Sequence, residues 1–321
     1  MLVRISRVAC LALLLAVSMG ARTVTPNFVI ETADARLCQQ LAQTAEKCRR
    51  EIAIAWLGAP MPNWASPCVC TVQAGPNLGA GGATTFLFDR GEVYGWRMTI
   101  QGSAQRLLDS VLPHEITHMV LASYFRQAVP RWADEGAATC AEHISEREKH
   151  SRMLVQFLQT GRGIAFNRMV AMKEYPKDVM PLYAQGYSLT EYLIQRGGKP
   201  KVLLFVADGM KDNRWSQALQ RHYGVNDLGA LQNTWVAWVG QGSPPLAPSP
   251  TTLAAVPSPR PRPEPNLILR MPKADPLGSL PDPVPPTGWV AAGTHQAAAA
   301  PVEPPAQPVQ TQVTHPQPVG P

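Results

Sequence analysis

His114-Glu115-Ile116-Thr117-His118 sets two imidazoles four residues apart with a carboxylate between them. On a helix, side chains four apart leave from one face, so both histidines can ligate a single metal ion. The intervening glutamate then sits beside water bound to that metal, where a carboxylate serves as a general base. At ordinary residue frequencies a chain of this length matches the pattern by chance about one time in a hundred. Catalytic zinc takes three protein ligands and keeps a position open for water, so a third ligand must come from elsewhere in the chain.

Two arrangements supply it. In the first, a histidine follows six residues after the second, with a glycine three before it; Tyr124 and Leu121 stand at those positions, so it does not apply. The second draws a glutamate from a following helix, and Arg131-Trp132-Ala133-Asp134-Glu135-Gly136-Ala137-Ala138 offers Glu135, seventeen residues past His118. With these two segments the chain resembles the gluzincin metallopeptidases, the thermolysin and aminopeptidase-like group also called peptidase MA, over roughly Gly82 to Gly198. The resemblance implies one Zn2+ held by His114, His118 and Glu135, with Glu115 taking the proton of the attacking water. Tyr183-Ala184-Gln185-Gly186-Tyr187 looks like the Tyr-x-x-Gly segment of aminopeptidase-like members, which implies that Tyr183 stabilises the oxyanion, with Tyr187 as substitute. Helix packing is an equal reading of both tyrosines. The family also implies an edge strand that aligns substrate, and Val93 to Ile100 is placed for it; an ordinary hairpin strand is the alternative. Asp109 and Thr139 are candidates to orient the histidines. The Gly-x-Met-Glu-Asn element that binds a free amino terminus in the aminopeptidase group has no counterpart, so endopeptidase-like activity on a peptide or protein is expected.

These side chains need elements to hold them. Asn27 to Glu31 reads as a strand, and Leu37, Leu41, Ala45, Cys48, Ile52 and Trp56 recur at helical spacing up to Gly58 and Pro60. Val69 and Val72 suggest another strand, followed by a glycine-rich turn from Gly75 to Gly82. Thr84 to Phe88 and Val93 to Ile100 read as a hairpin through Asp89, Arg90 and Gly91. Helical patterns then cover 107–124, 132–143, 153–159, 183–195, 202–207 and 228–239, with Asp227 as an N-cap and Gly197-Gly198 as a stop. Pro113 must begin the histidine helix or kink it. The fold class expected is α+β: a strand-containing lobe over 21–102 with an edge strand, a mainly helical zinc-binding lobe over 103–240, and a disordered proline-rich tail over 241–321.

Composition supports that division. Of the 32 prolines, 22 lie in the last 81 residues, whereas 21 of the 22 aromatics precede residue 241, so the core belongs to the first three quarters. A net charge of +6, with acids and bases interleaved as in Glu142, Glu146, Arg147, Glu148 and Lys149, reads as solvated helix face and does not indicate nucleic acid. Residues 1–20 read as a signal peptide, with Arg4 and Arg7 ahead of an apolar stretch from Val8 to Val17 too short to span a bilayer. The expected location is therefore outside the cytoplasm: periplasmic, extracellular or envelope-associated. Export permits disulfides among Cys38, Cys48, Cys68, Cys70 and Cys140. Cys38 and Cys48 lie too far apart along one helix to bond each other, and Cys68 and Cys70 are read as facing opposite sides of a strand, so a bridge from the helix pair to the strand pair is expected. Two other functions fit parts of the chain. One is a zinc-containing binding module for an envelope partner; retention of Glu115 argues against it, since a structural site needs no base. The other is an interaction protein acting through proline-rich sites such as Pro257 to Pro263.

Overall fold

In the computed structural model the described residues are 20–172 and 174–246, together with the backbone of a three-residue strand at Val290–Ala292. The architecture is mixed α and β. The chain runs β1 (Ala21–Val24), β2 (Phe28–Thr32), α1 (Ala35–Leu57), β3 (Cys68–Ala74), β4 (Gly81–Asp89), β5 (Glu92–Gly102) and α2 (Ala104–Arg106). A π-helical turn at Leu107–Val111 leads into α3 (Leu112–Phe125). There follow α4 (Arg131–Thr139), α5 (Ile144–Gln159), α6 (Phe166–Val170), α7 (Met180–Asp212), α8 (Trp215–Tyr223), α9 (Leu228–Gly240) and β6 (Val290–Ala292).

The strands form one sheet in the order β1-β2-β3-β5-β4-β6. β2 pairs β3 and β3 pairs β5 in parallel; the other pairings are antiparallel. The hairpin joining β4 to β5 turns at Arg90 (φ 47°) and Gly91 (φ 78°), the two left-handed positions of a tight primed turn. From Arg97 onward β5 is therefore an inner strand, paired on both sides, and the substrate-edge role expected of Val93 to Ile100 does not fit that half of it. β4 lies outside it, with its outer edge paired to Val290–Ala292.

Each helix carries a local reason for its ends. Asp34 caps α1 by accepting from the amides of Arg36 and Leu37 at 2.8 and 3.0 Å. Gly58 closes that helix at φ 80°. Asp227 caps α9 through the Ala230 amide at 2.8 Å, and α7 is interrupted at Gly198 (φ 79°, ψ 163°), as the sequence indicated. Pro113 lacks the amide that an α-helix would use at that point. The preceding π turn, in which the Leu112 amide reaches back to Leu107, absorbs the missing donor ahead of His114. The helical pattern read over 153–159 is the second half of α5.

Buried side chains gather into two clusters. One lies between the sheet, α1 and α3, and contains Phe28, Ile30, Leu41, Cys70, Met98 and Ile116. The other is built from α4 to α9 around Trp132, Phe166, Phe205 and Trp235. The histidine helix, assigned by sequence to the helical lobe, puts nearly all of its buried apolar residues into the sheet's cluster; only Leu121 joins the other. Cys68 and Cys70 are both fully buried under α1. Side chains two apart on a strand share a face, so the expectation that they point oppositely is corrected. Cys70 aligns with Ile30 across the sheet, and the Cys38 thiol lies 3.2 Å from the Ile30 carbonyl, but Cys38, Cys48, Cys68, Cys70 and Cys140 are all free thiols here, so the expected bridge from the helix pair to the strand pair is not formed.

The expected signal peptide falls outside the described residues apart from Gly20, as does most of the 241–321 tail. Residues 241–246 are not part of a free tail: the Trp238 indole donates to the Pro244 carbonyl at 2.8 Å, and the Leu246 amide donates to Gln195 at 2.9 Å. Among the described residues no helix is long and apolar enough to cross a membrane.

Candidate metal centre

α3 is buried nearly all round, and it delivers His114, Glu115 and His118 to the junction between the two clusters. α4 crosses close to it and brings Glu135. His118, Glu115 and Glu135 have no exposed surface, and His114 is 2% exposed. Ligand atoms of His114, His118 and Glu135 all lie within 4.8 Å of one another, forming a group that could hold a metal ion. Nε2 of His114 and of His118 stand 3.5 and 3.8 Å from Glu135 Oε2. Tetrahedral zinc with bonds near 2 Å puts its ligand atoms about 3.3 Å apart, so a small contraction of this group would complete a site.

Both rings are oriented from behind. His114 Nδ1 lies 2.6 Å from Glu142 Oε1, and His118 Nδ1 lies 2.8 Å from Asp134 Oδ1. A carboxylate there holds the proton on Nδ1 and leaves the Nε2 lone pair for a metal. Burial works against a charged imidazole, yet the carboxylates of Glu135 and Glu142 outweigh it and push His114 up to about 10. His118 is likewise raised: burial opposes, and Asp134 and Glu135 prevail. Four carboxylates around two imidazoles make a negative cage, which favours a cation. His118 Nε2 and Glu115 Oε1 are buried without a hydrogen-bonding partner among the described residues, a costly state that a bound dication and its water would relieve. The residues present thus fit a zinc-type ion. Glu142→Gln and Asp134→Asn are each expected to weaken metal binding about 10–100-fold, measured by competition with a chromogenic chelator; wild-type affinity in both would show that the rings need no such support.

Glu115 is held from the sheet side. Its Oε2 accepts from Thr84 Oγ1 of β4 at 2.7 Å. A Cβ on Gly82 would come within 2.6 Å of its Oε1, so glycine is required where the strand backs the carboxylate. Residues 81 and 82, read as the end of a loop, are the start of that strand. A small recess with room for about one water lies beside His118 between Phe86, Phe88, Val129 and Arg131.

Tyr183 lies within reach of the group: it hydrogen-bonds Glu135, and burial together with that carboxylate raises its pKa strongly. Tyr187 turns the other way, its ring 6.4 Å from that of His150 on α5, and burial pushes its phenol up to about 12. The structure therefore brings Tyr183, and not Tyr187, to the candidate site. Asp109 is occupied with Gln105 at 3.1 Å and Ser110 at 2.7 Å, and the Thr139 hydroxyl reaches no hydrogen-bonding partner among the described residues, so neither orients a histidine. Glu142, read as part of a solvated face, is instead His114's partner. Of the remaining histidines, His143 caps α5, His222 pairs with Asp208 at 2.8 Å, and His150 is buried. Sequence reasoning also missed Thr84, Asp134 and Tyr175, whose hydroxyl donates to Glu135 Oε1. Asp134 carried no usable signal, because neighbours on a helix leave its axis about 100° apart and its approach to His118 is set by how α4 crosses α3.

No family model, no curated protein and no solved structure matches this chain.

Proposed function

We propose that the protein is an exported, single-zinc metallopeptidase of gluzincin type, acting as an endopeptidase on peptides or proteins. The observation that carries the reading is the buried His114, His118 and Glu135 group with a non-ligating carboxylate, Glu115, one residue from the first histidine. A site that only stabilised the fold would have no use for that carboxylate. Zinc bound by the three residues would supply Lewis acidity and lower the pKa of a coordinated water towards 7.

The chain's own groups would do the rest. With Oε2 held by Thr84, Glu115 accepts the proton of the attacking water as the new carbon–oxygen bond forms, and returns it to the amine as the carbon–nitrogen bond breaks. Tyr183 donates its phenol proton as a hydrogen bond to the developing oxyanion. Glu142 and Asp134 fix the two imidazoles through the reaction. The reading extends to the domain plan, a metallopeptidase domain over 21–240 preceded by a cleaved signal at 1–20, and to a proline-rich extension available to an envelope partner.

The test is metal analysis of the purified mature protein beside cleavage of casein and a mixed peptide library. One zinc per chain is expected, with hydrolysis lost on treatment with 1,10-phenanthroline and recovered on adding zinc. Cleavage insensitive to the chelator would overturn the mechanism, and a preparation without zinc would overturn the site.

A further inference from the structure

The segment between α6 and α7 carries Tyr175 back over the candidate site, where its hydroxyl donates to Glu135 Oε1. Three contacts fix the phenol there. Its ring stacks on that of Tyr183, with centroids 6.4 Å apart and planes within 11°. The Arg131 guanidinium lies over the same ring, 4.4 Å from its centroid. Arg131 Nη1 also donates to Tyr175 Oη at 3.3 Å. Arginine has only donors and a phenol only one proton, so the Tyr175 proton has no use towards Arg131 and is directed at Glu135. Arg131 itself is 8% exposed, and among the described residues no carboxylate pairs with it, so its charge is spent on this tyrosine.

The consequence falls on how Glu135 meets a metal. Its Oε2 is the oxygen that faces Nε2 of both histidines, at 3.5 and 3.8 Å, while Oε1 is tethered on the far side. A carboxylate chelates through both oxygens only if both can turn to the ion. We infer that Tyr175, clamped by Arg131, is a positioning residue that holds Glu135 to one-oxygen ligation and so keeps the fourth coordination position open. This deepens the metal-site reading above and rests on it.

Cobalt(II) takes the same ligands as zinc, and its visible bands distinguish four-coordinate from higher-coordinate centres. The mature full-length protein is stripped and reloaded with cobalt as wild type, Tyr175→Phe, Tyr187→Phe and Arg131→Met, Tyr187 being the tyrosine that turns away from the site. Wild type and Tyr187→Phe are expected to show the intense bands of a four-coordinate site. Tyr175→Phe should bind one cobalt yet lose part of that intensity, as Oε1, released from Tyr175, turns towards the ion, and Arg131→Met should move in the same direction by less. A wild-type spectrum in Tyr175→Phe at full cobalt occupancy overturns the inference and leaves the metal site standing. Failure of the wild-type protein to bind cobalt overturns the metal reading itself and the inference with it.

Discussion

Glu115→Gln is expected to match the wild type in zinc content and, on the function proposed above, to lose hydrolysis by about a thousandfold or more. The substitution changes almost nothing but proton affinity. Glu115 has no exposed surface and sits between Thr84 Oγ1 and Gly82, so a smaller side chain would leave a void, whereas glutamine has the same shape and still accepts from Thr84 through its carbonyl. What glutamine lacks is a basic oxygen. The ligand group does not contain Glu115, so metal content should hold. His118→Ala is the contrasting case, since it removes a ligand and should lose metal and activity together. The measurements are elemental analysis and initial rates on a peptide that the wild type cleaves. Equal rates for Glu115→Gln and wild type would eliminate Glu115 as the base.

The second large effect comes from a residue with no side chain. α4 and α7 approach so closely at Gly136 that a Cβ there would fall inside contact distance of both Thr190 Oγ1 and the Gly186 carbonyl. A Cβ on Gly186 would in turn lie 2.6 Å from the Trp132 carbonyl. Two of these three obstacles are backbone, which cannot rotate aside, so the helices themselves must separate. Gly136→Ala is therefore expected to destabilise the protein by about 3 kcal/mol, at the upper end for overpacking, and to lower Tm by about 6–12 °C for a domain of this size. Because Glu135 precedes Gly136 on the same helix, the shift also carries the third ligand away from the histidines, and metal affinity should fall with stability. Gly240→Ala is the control, since its Cβ meets nothing within 4 Å. Thermal melts and chelator competition read both quantities; a Gly136→Ala protein within about 0.5 kcal/mol of wild type would show that the crossing is loose.

The parts of the site legible from sequence were one local spacing and one recognisable segment. His114, Glu115 and His118 share a face by spacing alone, and Glu135 followed from a second helix of recognisable pattern. What supports them comes from far along the chain: Thr84 lies 31 residues before Glu115, Glu142 28 residues after His114, and Tyr175 40 residues after Glu135. Nothing in local periodicity encodes such pairings. Strand order was hidden for the same reason. β4 and β5 were readable as a hairpin, but that β3 would add in parallel beside β5 and make it an inner strand depends on the whole sheet. Glu142 was misread because a charged residue among charged residues looks solvated until a buried histidine is seen to face it.

The two histidines and the glutamate belong to different halves of the interior. His114 and His118 ride on a helix rooted in the sheet's cluster, whereas Glu135 rides on a helix rooted in the other. An ion gripped by all three therefore works as a rivet between two cores that meet along α3 and α4. The free energy of binding is then shared by both, since neither can unfold without releasing it. Metal supply in the compartment where the protein folds would then set how firmly the two halves are joined, independently of any reaction at the site.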